Sequence, residues 1–205
     1  LPNRGKEGYV MAESAEWITA AATMSAVIVA LFVAFLPSFR RRYNKPKLKV
    51  DFKNEEPFCR NAILINDAAQ IKHYWVRVRI SNVGRSVARN CRGKLIRIRD
   101  ANTMEERKDF DPAILRWVTG QGKPIDLPYK DREYLNILFT RQNDPLHLVI
   151  DAEDKEPRAI NLFPERKDYI LDMIFYADNV ESITESFYFK NSKDYNKIEL
   201  SEYKG

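Results

Sequence analysis

From Trp17 through Phe39 the chain carries no charged residue, and Arg40, Arg41 and Arg42 follow at once. Wound as a helix at about 1.5 Å per residue, that run is roughly 35 Å long, enough to cross a hydrocarbon core of about 30 Å. It divides the chain into a short N-terminal tail at 1–16, a transmembrane helix at 17–39, a basic juxtamembrane linker at 40–45 and a folded domain at 46–205.

The charges around the run set the expected orientation. Arg40, Arg41, Arg42, Lys45, Lys47 and Lys49 follow it closely, whereas Glu13 and Glu16 are the nearest charges ahead of it. An excess of Lys and Arg marks the cytoplasmic flank. The expectation is a single-pass protein of the cell membrane, with its N-terminus outside, its C-terminal domain in the cytoplasm and the lipid bilayer as its first partner. A cleavable signal peptide carries its positive charges before the apolar run and a small-residue cleavage site after it. Here that order is reversed, so the run reads as an uncleaved anchor. Met11 opens a stretch that reads as a natural start, so residues 1–10 read either as an upstream extension or as an over-long reading of the gene and are left out of the fold reasoning. Ala22, Ala26, Ala30 and Ala34 recur at every fourth position. Small residues at that spacing let two helix backbones approach, which makes a homo-oligomer through the span an expectation. Alanine is also common in spans, and a four-residue step drifts by about 40° around a helix.

Beyond the span the chain is polar, with a mean hydropathy of −0.48 overall, yet 12% of its residues are aromatic, so it can bury a core. Cys59 and Cys91 are too few for a disulfide framework and read as reduced core residues. The net charge of +5 conceals an asymmetry: residues 40–99 carry +13 and residues 100–205 carry −7. A basic half beside a membrane suits anionic headgroups. Basic strands facing acidic strands within one domain would account for the same pattern.

From Pro46 onward the dominant period is two, the period of half-buried strands. Strands are predicted over residues 47–52, 74–80, 87–98, 134–140, 146–150, 159–163, 169–177 and 183–190, with a short one at Ile198 and Leu200. The last two long ones form a hairpin across Asp178-Asn179. Cys91, Gly93 and Leu95 share one face while Ile96 and Ile98 fall on the other, which predicts a bulge near Gly93. Residues 100–111 read as a polar loop, and 112–118 as a turn of helix or an irregular strand. The fold class is therefore mainly β: an N-terminal transmembrane helix followed by one antiparallel sandwich.

Two stretches carry a family resemblance. Val76-Arg77-Val78-Arg79-Ile80-Ser81-Asn82-Val83-Gly84, continuing to Cys91, resembles the strand–Asn-x-Gly–strand opening of prokaryotic CARDB-like, immunoglobulin-like domains. Tyr169 to Asn179, followed by Glu185-Ser186 and Asn191, resembles their closing hairpin. The chain is similar to uncharacterised prokaryotic single-span membrane proteins bearing one such domain. The resemblance implies an immunoglobulin-like β-sandwich, with Asn82 and Gly84 as turn residues and Tyr169 as a corner tyrosine, and it implies no activity.

The chemistry-bearing residues are sparse. His73 and His147 are the two histidines, and neither sits in a metal-ligand spacing. Nucleophile elbows, Walker loops and dinucleotide-binding turns do not occur in the sequence. Asp109 with Asp111, and Asp151 with Glu153 and Asp154, are carboxylate groups of the kind charged loops commonly hold. The densest basic cluster spans Arg77, Arg79, Arg85, Arg89, Arg92, Lys94, Arg97 and Arg99. On adjacent strands Arg77 and Arg79 would share a face with Arg92, Lys94 or Arg97 beside Trp75, forming an anion-binding face for lipid headgroups, a nucleotide or RNA. Outward arginines are equally an ordinary solvated face that discourages edge pairing. The expectation is a non-catalytic, membrane-anchored sandwich that needs no cofactor and presents a surface to a protein partner. The alternative is a membrane effector or sensor whose basic face, Arg77, Arg79, Arg89, Arg92, Lys94 and Arg97, binds an anionic ligand. Nucleic acid stands last among the expected partners.

Overall fold

The computed structural model describes residues 6–66, 69–119, 123–142, 144–153, 167–191, 194 and 197–204. The chain falls into two compact units that meet between Asn44 and Lys45. The first is built on one helix, α1 (Lys6–Tyr43). It is longer than the apolar run at both ends, where the flanking Glu, Lys, Arg and Ala residues favour helix; it continues through Pro37 and stops ahead of Asn44 and Pro46. The tail and the basic linker are thus largely helical. Within α1, Thr19–Leu36 is long and apolar enough to cross a membrane and is exposed throughout. Its hydroxyls turn inward to the helix: Thr23 Oγ1 donates to the Thr19 carbonyl and Ser25 Oγ to that of Ala21, both at 2.8 Å. That leaves no hydroxyl of this pair to be satisfied from hydrocarbon. Ala22, Ala26, Ala30 and Ala34 are exposed as well.

The second unit is made of antiparallel strands: β1 (Leu48–Asp51), β2 (Cys59–Asn66), β3 (Ala69–Asn82), β4 (Ala88–Asp100), β5 (Ala113–Ile114), β6 (Ile125–Leu127), β7 (Arg132–Arg141), β8 (Asp144–Ile150), β9 (Tyr169–Ala177), β10 (Val180–Lys190) and β11 (Glu199–Glu202). They form two sheets. In the first, β3 is flanked on one edge by β2 and then β1, and on the other by β7 and β8. In the second the order is β11-β10-β9-β4, with β5 and β6 along the free edge of β4. Alternate residues of both sheets point into one core. Val76, Val78, Ile80, Leu135 and Ile137 come from the first sheet, and Leu95, Ile98, Leu171, Met173, Phe175, Phe187 and Phe189 from the second. Truncating any one of these phenylalanines to alanine would cost about 3–5 kcal/mol.

The chain crosses from the first sheet to the second after β3, and one side chain organises the crossing. Asn82 is fully buried. Its Nδ2 donates to the carbonyls of Ser86 at 2.7 Å and Leu127 at 2.8 Å, and its Oδ1 accepts from the amides of Gly84 at 3.0 Å and Lys47 at 3.2 Å. Every polar position of the amide is used. Gly84 lies under the backbone of 45–47, where an added Cβ would sit 2.3 Å from Lys47 N and 2.5 Å from Lys45 O. The Asn-x-Gly pair is therefore a clamp on the domain's first residues as well as a turn.

Several sequence readings need correction. The bulge lies between Leu95 and Arg97, not near Gly93, and it places both Leu95 and Ile98 in the core. Gly93 is required for another reason: a Cβ there would meet the Leu135 side chain at 2.3 Å, where the two sheets press together. Of the two readings of 112–118, the irregular strand is the one observed: residues 113–117 are extended and pass between sheets. Ala113 pairs with Leu95, Leu115 bridges to Ala152, and Trp117 bridges to Leu135 while its Nε1 donates to the Cys91 carbonyl at 3.2 Å. The hairpin β9–β10 turns at Asp178–Asn179 as predicted. β2 was not predicted, since the run Ala62-Ile63-Leu64-Ile65 does not alternate. The strand predicted over 159–163 lies outside the described residues.

Gly84→Ala should lower the unfolding free energy by about 2 kcal/mol, the usual cost of forcing atoms into filled space. Urea denaturation of the full chain in detergent reads this directly. An unchanged midpoint would mean that the 45–47 backbone moves aside freely.

Candidate functional site: two separate polar faces

The basic cluster of the sequence is not one surface. β3 pairs with β1, β2 and β7, whereas β4 pairs with β5, β6 and β9. Arg77 and Arg79 accordingly belong to the first sheet, and Arg89, Arg92, Lys94 and Arg97 to the second. The expectation that they share a face on adjacent strands is incorrect. An Asn-x-Gly turn fits a hairpin and a crossing between sheets equally well, and here the chain crosses.

On the outer face of the second sheet, Arg92, Lys94, Arg97 and Arg99 follow one another along β4, opposite Tyr176, Ile174, Asp172 and Ile170 of β9. Asp172 is the hub. It is 1% exposed. Its Oδ2 accepts from Arg97 Nε at 2.6 Å and Arg99 Nε at 2.9 Å, and its Oδ1 from Arg99 NH2 at 2.7 Å and Ser186 Oγ at 2.6 Å. Burial alone pushes this carboxyl up, but the bonds from Arg99, Ser186 and Arg97 outweigh it and hold the group below the usual carboxylate range. Arg97 and Arg99 are thereby committed to a structural charge. Among the described residues Arg89, Arg92 and Lys94 have no ion pair. Asp172 was not singled out from the sequence, although it is the one charge in the apolar run Tyr169–Ala177.

The outer face of the first sheet is different in kind. Asp51 pairs with Lys49 at 2.7 Å and Arg79 at 3.4 Å. Burial raises its carboxyl, and these cations lower it further than burial raises it. Arg77 Nε donates to Asn136 Oδ1 at 2.8 Å, and Asn136 Nδ2 passes the chain of bonds to Asp151 Oδ2 at 2.7 Å. Asp151 is buried, with Arg116 3.7 Å away, and burial pushes its carboxyl above the usual range despite Asn136, Arg116 and Arg77.

Beside this network lies an aromatic row. Trp75 and Phe139 have ring centroids 4.5 Å apart, and His73 lies 5.4 Å from Phe139 and 6.4 Å from Trp75. Arginines are laid over the rings: Arg77 over Trp75 at 5.7 Å, Arg141 over Phe139 at 5.8 Å, and Arg79 over Phe58 at 5.3 Å. Arg60 of β2 stands across from Trp75. Sequence reading placed Trp75 beside arginines but missed Phe139, Arg141 and Arg60, which reach it only through pairing with β7 and β2.

The remaining candidates are placed as follows. His73 Nδ1 lies 3.0 Å from the Ile71 carbonyl, and burial lowers its pKa. His147 belongs to β8, and its side chain lies outside the described residues, as does Asp154. Asp109 is held by Arg107 at 2.9 and 2.6 Å. Both cysteines are free and buried, and burial pushes the Cys91 thiol up to about 11. Lys45 and Lys47 are exposed, and Arg40, Arg41 and Arg42 lie in the last turn of α1. Among the described residues no three His, Cys, Asp or Glu side chains gather as metal ligands. Compared with known proteins, the chain matches no family model and no curated protein.

The two buried carboxylates should respond oppositely to substitution. Asp172→Asn leaves two arginines without their charge partner and should cost about 2 kcal/mol at pH 7, less than for a wholly buried pair because Arg97 is partly solvated. Asp172 is depressed in the fold, so its contribution is complete above the usual carboxylate pKa of about 3.9 and is lost as pH falls through its lower folded value. Asp151 is raised in the fold, so its charge opposes folding as pH climbs past about 3.9, and Asp151→Asn should leave stability at pH 7 equal or higher. Urea denaturation at pH 7 and pH 4 tests both, and equal losses for the two variants would contradict this assignment.

Proposed function

We propose that the chain is a single-pass membrane protein whose strand-built domain is a non-catalytic, immunoglobulin-like sandwich presenting an interaction surface to a protein partner in the cytoplasm. The observation that carries the reading is α1: Thr19–Leu36 is apolar, exposed and long enough to cross a bilayer, and a domain with its own core follows it in sequence. The positive flank at Arg40, Arg41, Arg42, Lys45, Lys47 and Lys49 supports the cytoplasmic orientation. The resemblance to CARDB-like prokaryotic membrane proteins supports the sandwich, since two antiparallel sheets sharing one core is the architecture it implies. The engagement of Asp172 and Asp109 by arginines supports a binding role over acid–base chemistry. The exposed alanines of α1 suit pairing with a second copy. A second reading, an effector that answers to an anionic ligand, is favoured by Arg89, Arg92 and Lys94 on the second sheet, which have no ion pair among the described residues.

Alkaline carbonate extraction of membranes containing a C-terminally tagged chain should leave it in the pellet at full mass. Protease added outside intact spheroplasts should leave the tagged domain whole. A soluble product shortened by the apolar run would identify a cleaved signal sequence, and digestion from outside would reverse the orientation; either result overturns the reading.

A further inference from the structure

We propose that the outer face of the first sheet is a binding site for single-stranded nucleic acid, with bases stacking at Trp75 and phosphates held by Arg60, Arg77 and Arg141. This goes beyond the anchored-module reading and does not depend on it, since the face is complete whether or not α1 crosses a membrane.

Three observations converge on this face. Its centre is an aromatic row in which His73 and Phe139 are buried and Trp75, packed on Phe139 at 4.5 Å, is only partly covered. The part of the Trp75 ring left uncovered is the platform for a nucleobase. The row is bordered by Arg60, Arg77 and Arg141. Among the described residues neither Arg60 nor Arg141 has a carboxylate partner, and Arg141 Nε is buried without a hydrogen bond. Burial and the neighbouring Arg60 both act against the charge on Arg77, with Asp151 opposing them, and Arg141 likewise acts against a charge on His73. Asp151 offsets part of the charge on Arg77, and a site that still holds like charges together is more stable once an anion arrives.

The arrangement of the charges selects the ligand. The guanidinium groups of Arg77 and Arg141 are held over different rings, and Arg60 approaches from β2, on the opposite side of β3 from β7. Neighbouring strands are about 4.8 Å apart, so the backbones of β2 and β7 stand about 10 Å apart across the row. Charges spread in this way meet successive phosphates of a chain better than one terminal phosphate. A rigid duplex hides its base faces and cannot use the aromatic row. The second sheet makes a contrast, because its Arg97 and Arg99 are already bound to Asp172.

The test uses the full chain in nanodiscs of zwitterionic lipid and the fluorescence anisotropy of a labelled twelve-nucleotide uridine strand at low salt. Binding is expected, weaker for a duplex of equal length. Trp75→Ala should weaken it about tenfold or more. Arg60→Ala with Arg141→Ala should weaken it about tenfold and reduce the log–log salt slope by about 1.4, the value for two phosphate contacts on a single strand. Arg92→Glu with Lys94→Glu, on the other sheet, should leave affinity within twofold, and thermal melting checks that each variant is folded. No binding at low salt would overturn the proposal. So would equal losses from charge changes on either sheet, which would mean unspecific attraction. Binding to vesicles containing phosphatidylserine in place of the oligonucleotide would assign the face to a lipid surface and overturn it too.

Discussion

A single buried amide, the side chain of Asn82, joins the parts of this domain that sequence keeps apart. It takes hydrogen bonds from the domain's first residues and from the turn after β3, and gives them to that turn and to β6. A buried amide with all its bonds made is neutral to favourable, whereas one left half satisfied costs about 1–3 kcal/mol for each unmade bond. The site therefore specifies one geometry for the crossing. Gly84 reinforces it by allowing the 45–47 backbone to lie within a distance that no side chain permits.

The crossing has a consequence for function. Had β3 and β4 closed a hairpin, their arginines would have formed one broad basic surface. Because the chain changes sheets instead, the cations separate into two environments. On the second sheet a buried carboxylate absorbs Arg97 and Arg99 into the structure. On the first, Arg60, Arg77 and Arg141 border aromatic rings, and among the described residues only Arg77 is connected, through Asn136, to a carboxylate. Charge density read along a chain is thus a poor guide to charge density on a surface, since neighbours in sequence need not be neighbours in space.

What the sequence makes legible is what depends on local period. The apolar helix, the alternating strands β1, β3 and β4, and the β9–β10 hairpin are all visible in residue spacing. β2 is obscured because Ala62-Ile63-Leu64-Ile65 is uniformly apolar. The bulge is visible as a slip of phase, but its place at Ile96 is decided by the core, which accepts both Leu95 and Ile98. The pairing partners of β3 and β4 leave no local trace, so the aromatic row and the Asp172 hub could not be assembled from spacing alone. A lone Asp in the middle of an apolar strand is nevertheless a signal, since a charge is retained there only with partners.

The most direct measurement is residue-resolved hydrogen exchange on the full chain. If the Asn82 crossing secures the two sheets, the amides of Lys47, Asn82 and Gly84 should exchange as slowly as those of the central strands β3 and β9, through global unfolding alone. Exchange of these three on the timescale of exposed turns, with β3 and β9 still protected, would contradict the account: the crossing would then be a loose connection, and the separation of the two faces would need another cause.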